Sequence, residues 1–76
     1  MIYPPEARRA KMQGSVIIDA TIGPDGKVVA TKVVRSIPML DEAAVKAVKE
    51  REYRPTTVNG MAISIIVTVP INFTLQ

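Results

Sequence analysis

Side chains able to do covalent or acid–base chemistry are scarce in this chain, and those present are spaced wrongly for it. There is no histidine and no cysteine, which removes imidazole bases, thiolate nucleophiles and most zinc and haem ligation together. Ser15, Ser36 and Ser64 therefore lack a partner to activate them. Asp41 and Glu42 are adjacent, and neighbours on a helix project to different faces. At a helix start they read as carboxylates that cap amides and oppose the dipole. Glu50 and Glu52 read as solvated charges near a helix end, and no glycine-rich phosphate loop occurs. The expectation is a protein that is not an enzyme and holds no metal or cofactor.

The chemistry that remains is main-chain hydrogen bonding. From Met61 to Leu75, Ile63, Ile65, Val67, Val69, Ile71, Phe73 and Leu75 alternate with Ser64, Thr68, Asn72 and Thr74. A period of two predicts one long strand with an apolar face and a mostly polar one. Pro70 lies inside it, and proline within a sheet is confined to edges, strand starts and bulges. The strand is thus predicted to be an edge, which is protected, paired with another copy, or used to capture an extended peptide. Alternate residues aim their amides and carbonyls at opposite edges. With Pro70 at the free edge, Ser64, Ile66 and Thr68 aim their backbones there too. Ile66, apolar on the polar face, reads either as a contact for a peptide side chain or as an isolated surface residue.

A chain of 76 residues makes one domain with a thin core. The apolar share is 47%, yet the aromatics are only Tyr3, Tyr53 and Phe73, so the core must be built from aliphatic side chains. The net charge of +3 comes from interspersed residues and reads as a solvated surface. Scattered basic groups without an aromatic pair on a strand face give no footprint for nucleic acid. No apolar window is long enough for a membrane-spanning helix, and the Met-Ile-Tyr-Pro-Pro start lacks the features of a signal peptide.

The elements that must position the edge follow in order. Pro5 suits the first position of a helix, predicted over Glu6–Met12 and stopped at Gly14, with Arg8, Arg9 and Lys11 on its basic side. Val16, Ile18, Ala20 and Ile22 alternate with Ser15, Asp19 and Thr21 as a half-buried strand. Gly23-Pro24-Asp25-Gly26 is a tight turn into a strand over Lys27–Ser36, whose broken alternation calls for a bulge near Val29 and Ala30. Leu40 to Arg51 changes to helical period, with Leu40, Ala44, Ala47, Val48 and Arg51 on one stripe and Pro55 ending the element. Thr56 to Gly60 reads as a loop in which Asn59-Gly60 turns the chain. The fold class is α+β, in the order helix, strand, strand, helix, strand. A three-stranded antiparallel sheet carries two helices on one face.

Tyr3-Pro4, Gly14, the alternating Val16 to Ile22, Pro24-Asp25-Gly26, the Leu40-Asp41-Glu42-Ala43-Ala44 helix start, Tyr53-Arg54-Pro55 and the Val-rich strand ending near Phe73 form an ordered set. In that order and spacing they closely resemble the C-terminal domain of TonB-family energy transducers over nearly the whole chain. The resemblance implies a periplasmic domain hung from an inner-membrane anchor that lies outside this sequence and joins a motor complex of the ExbB/ExbD type. It also implies that the domain grips the TonB box of TonB-dependent outer-membrane transporters, such as those for siderophore uptake, by strand addition at the last strand. Carried onto this chain, the peptide-binding residues are Ser64, Ile65, Ile66, Val67, Thr68, Val69, Pro70 and Ile71, and the receptor-contact candidates are Tyr3, Pro4, Arg8 and Arg9. Tyr3 and Tyr53 also read as packing residues. Two departures stand out: Arg51 replaces an aromatic common in the family, and Glu6 stands where enterobacterial members have a basic receptor contact. The alternative is a TolA-like or sensor-appended interaction domain that forms homodimers through the same edge.

Overall fold

The computed structural model describes residues 2–75. Its centre is β1 (Gly14–Ile22), which pairs antiparallel on one side with β2 (Val28–Arg35) and on the other with β5 (Ile65–Phe73), giving the order β2-β1-β5. The alternation read from the sequence is realised. Val16, Ile18, Ala20 and Ile22 are buried, while Ser15, Asp19 and Thr21 lie on the opposite, half-exposed face. Between β1 and β2, the Gly23 amide donates to the Lys27 carbonyl at 2.8 Å and the Gly26 amide to the Gly23 carbonyl at 2.9 Å, with Gly26 at φ +85°.

β2 is bulged where expected and once more. Thr21 pairs with Ala30 and Ile22 with Val28, which leaves Val29 as the extra residue; Ile17 pairs with Arg35 and Ile18 with Val33, which leaves Val34. Both leftover valines are exposed.

The two helices cover one face of the sheet, because Ala7 of α1 (Pro5–Arg9) and Ala44 and Val48 of α2 (Asp41–Glu50) join the core-facing side chains of β1 and β5 in a single cluster. Phe73, Ile18, Ile22, Leu40, Ile71, Val16 and Val48 are fully buried, and no polar side chain is buried among the described residues. The Tyr3 and Phe73 rings meet nearly at right angles, 87°, with centroids 5.4 Å apart, and the Arg8 guanidinium lies 5.0 Å over the Tyr3 ring.

Both helices stop earlier than their patterns suggest. α1 ends at Arg9 rather than Met12: Lys11 takes φ +57°, its amide donates to Arg8 at 3.1 Å, and the Met12 amide donates to Ala7 at 2.9 Å. That is a Schellman closure with lysine where glycine is usual. Gly14 instead opens β1. α2 ends at Glu50, before Arg51 and well before Pro55, as the chain leaves in extended form so that the Tyr53 amide can donate to the Gly26 carbonyl at 3.0 Å. Arg51, read onto the buried stripe, is exposed. Asp41 makes no side-chain cap of its own helix. Its carboxylate accepts the Ile37 amide at 2.8 Å and the Ser36 hydroxyl, pinning the connection from β2.

The largest difference lies at the C-terminal end. Met61–Leu75 is not one strand, because the pairing breaks at Ser64. β1 runs out at Ile22, the partner of Ile65, and the preceding stretch finds another partner. β3 (Thr56–Val58), read as loop, pairs with β4 (Met61–Ile63) through an Asn59-Gly60 turn with φ of 51° and 78°. The molecule is elongated, 49 × 19 × 18 Å.

Two substitutions test this description. A Cβ on Gly26 would stand 2.0 Å from the Tyr53 carbonyl oxygen at a φ that side chains avoid, so Gly26→Ala should lower stability to urea by at least about 2 kcal/mol. Lys11→Gly should raise it by about 0.5–1 kcal/mol, since the left-handed cost exceeds glycine's entropy cost.

Candidate functional site

The sheet has two edges, and they are built differently. The β2 edge is interrupted by the Val29 and Val34 bulges and carries Lys32 and Arg35, with Lys27 just before it. Bulges and lysines are the usual means by which an edge is made unfit for pairing. β5 has neither: its nine residues pair with β1 without a register shift, from Gly14↔Phe73 to Ile22↔Ile65. All ten basic and all seven acidic residues of the chain precede Pro55. This segregation of charge is a signal in the sequence that periodicity and turn motifs do not register.

On β5 the side chains divide by face. Val69 and Ile71 are buried under the helices, and Ile65 and Val67 are half-buried on that side. Ile66, Thr68 and Pro70 are exposed on the other, with Ile66 at 69%. Thr68 donates its hydroxyl to Asp19 at 2.9 Å and the Ser15 hydroxyl donates to Asn72, so this outer face is tied down between β1 and β5. Ser64 lies at the break and belongs to no strand.

The main-chain groups follow from Pro70, which faces Ile17 in the register. Residues of an antiparallel strand alternate between aiming both amide and carbonyl at one neighbour and at the other. A proline aimed at β1 would remove a donor from the middle of the ladder. Aimed outward it removes none. The intact ladder therefore places Ile65, Val67, Val69, Ile71 and Phe73 toward β1, and leaves the amides and carbonyls of Ile66, Thr68 and Asn72 on the open side. Of the sequence-predicted set, Ile65, Val67, Val69 and Ile71 thus brace the edge, and Ile66 and Thr68 present it.

The receptor-contact candidates gather at one end of this edge. The Tyr3–Phe73 contact sets α1 beside the C-terminal end of β5. Tyr3 is half-buried and its hydroxyl donates to the Met12 carbonyl, Pro4 is half-buried at the helix start, and Arg8 and Arg9 are exposed. Ser15 and Ser36 spend their hydroxyls on Asn72 and Asp41. Among the described residues no cluster of acidic side chains could hold a metal ion. An open groove of about 610 Å³ between residues 2–6 and α2 is lined by Pro4, Ala43 and Ala47 together with the charged side chains Glu6, Asp41, Glu42, Lys46 and Glu50, with no serine, threonine, cysteine or histidine in its lining.

Comparison with known proteins agrees with this architecture. The profile of the family described as Gram-negative bacterial TonB protein C-terminal matches residues 1–75. "Protein TonB" of Xanthomonas campestris pv. campestris strain B100 is 39% identical over 76 residues, and its counterpart in strain ATCC 33913 is equally similar. In each case the match takes in 97% of this chain and 34% of the relative, so the chain spans about a third of the length of these proteins. No solved structure matches it significantly. With the profile running through the helices, the central strand and the last edge alike, the chain belongs to the TonB C-terminal domain family.

Proposed function

We propose that this domain is the periplasmic grip of a TonB-type energy transducer, and that it takes the TonB box of an outer-membrane transporter as an added strand along β5. The observation that carries the reading is the asymmetry of the sheet: one edge is bulged and charged, the other straight, charge-free and nine residues long. Strand addition draws its affinity from the main chain and its selectivity from alternate side chains, which suits a domain that serves transporters of differing sequence, siderophore transporters among them. Ile66 offers an apolar contact on the outer face, and the exposed Arg8 and Arg9 of α1 are the groups this reading assigns to the transporter's periplasmic surface. TonB-family transducers are a non-enzymatic class, and strand capture requires no catalytic group. In this reading an inner-membrane anchor and an ExbB/ExbD-type motor supply the pull from outside the present sequence; no helix among the described residues is long and apolar enough to cross a membrane.

Five or six ladder bonds at a net ~1 kcal/mol each, less the cost of ordering the peptide, correspond to micromolar binding. Pulling along the strand loads these bonds together, so the grip resists force better than its affinity alone implies. Release of a bound peptide at negligible load would contradict this.

The same edge is self-complementary, and a second copy could occupy it instead, as a TolA-like or sensor-appended domain would. Titration of the ¹⁵N-labelled domain with a TonB-box peptide separates the two. Capture predicts shift changes concentrated on Ile66, Thr68 and Asn72 at constant molecular mass. A dimer predicts the same residues changing with protein concentration and no response to peptide.

Proline substitution tests the backbone parity. Ile66→Pro removes only an outward amide and should leave stability within about 1 kcal/mol while weakening peptide binding several-fold. Val67→Pro removes a donor from the β1 ladder and should cost about 2 kcal/mol or more in urea denaturation. Equal effects of the two on stability would refute the assignment.

A further inference from the structure

We infer that the docking edge does not end with β5: the β3–β4 hairpin extends it, so that an added strand is held along Ala62–Asn72 and the partner is an extended segment of about twelve residues rather than a short box. The inference rests on the capture reading above, and names the length and character of what is captured.

Two observations place the hairpin. Tyr53 donates its amide to the Gly26 carbonyl at 3.0 Å, and a Cβ on Gly26 would lie 3.4 Å from Cδ of Pro55, the residue before β3. Gly26 belongs to the turn just beyond Ile22, where β1 ends. β3 therefore starts past the end of β1 and takes over as the partner of the chain on the same side, with Ser64 marking the transfer from one partner to the next.

The second observation is parity. Asn59 and Gly60 are both at positive φ, the type I′ form of a two-residue hairpin, and such a turn closes on a hydrogen-bonded pair, here Val58↔Met61. Met61 and Ile63 thus aim their main-chain groups at β3, and Ala62 between them aims away. In β5 the odd-numbered residues face β1 and the even-numbered ones face out. The alternation is in phase across Ser64, and both partners occupy one side. The opposite side is a single row of open groups at Ala62, Ser64, Ile66, Thr68 and Asn72.

Met61–Phe73 spans roughly 40 Å at about 3.3 Å per residue, close to the 49 Å long axis of the molecule. Ile63, Ile65 and Val67 are half-buried along one face of the row, and Ala62, Ser64 and Thr68 are exposed on the other. The captured segment accordingly carries apolar side chains at alternate positions against the isoleucines and valine, and uncharged ones between them, neutral polar beside Ser64 and Thr68 and apolar beside the exposed Ile66.

Amide exchange with peptides of six and twelve residues, both from the periplasmic N-terminus of a TonB-dependent transporter, tests the extension. The long peptide should protect Ala62 and Ser64 together with Ile66, Thr68 and Asn72, and bind at least about threefold tighter than the short one. Ala62→Pro, which removes one outward amide as Pro70 does naturally, should leave the short peptide's affinity unchanged and abolish the long peptide's advantage. Protection of Ile66, Thr68 and Asn72 without Ala62 and Ser64, or a long-peptide advantage untouched in Ala62→Pro, overturns the extension and leaves strand capture standing. Absence of protection at all five residues overturns both.

Discussion

β1 is the only strand among the described residues with a partner on each side, and the other elements take their positions from it. Its even-numbered side chains form the floor of the core, on which Leu40, Ala44 and Val48 of the α2 region settle. Its length decides where β5 can be paired and where the chain must find a substitute. In a domain this small, with one thin hydrophobic layer, there is little to hold a strand that is not laddered. The break at Ser64 and the appearance of β3 both follow from β1 ending at Ile22.

The second joint is the contact between the Gly26 turn and the Tyr53-Arg54-Pro55 segment. These stretches are far apart in the sequence and read there as two independent motifs. In space they are one: the glycine is needed because the Tyr53 carbonyl passes over it, and that passage draws the chain out of α2 and delivers it to β3. The end of the helix is thus a tertiary effect, which explains why helical periodicity and the position of Pro55 both misplace it.

Much of the architecture was legible in the residues. Period-two alternation located β1 and the apolar face of β5, the Pro-Asp-Gly turn located the first hairpin, and the lost phase near Val29 located a bulge. What escaped was shorter than a period or depended on a neighbour. β3 and β4 have three residues each, too few to display alternation, although Asn59-Gly60 marked their turn. Lys11 in a left-handed conformation carries no mark in composition, and the Val34 bulge shows only when β2 is laid against β1. The edge character of the last strand was legible through Pro70 alone; the contrast with the bulged edge needed the sheet order. The sequence reads the Asp41 carboxylate as a cap of its own helix, whereas in the structure it binds Ser36 and Ile37 of the preceding loop although Asp41 itself opens α2.

A sheet with one pairing-competent margin and one spoiled margin is a terminating object. An ordinary exposed, uncharged strand invites further strands without limit, and the Val29 and Val34 bulges forbid that here, because whatever joins at β5 finds no equivalent surface on the far side from which stacking could continue. Whichever strand docks, the assembly stops at a finite stoichiometry. The domain can therefore keep a sticky margin permanently uncovered without seeding fibrils.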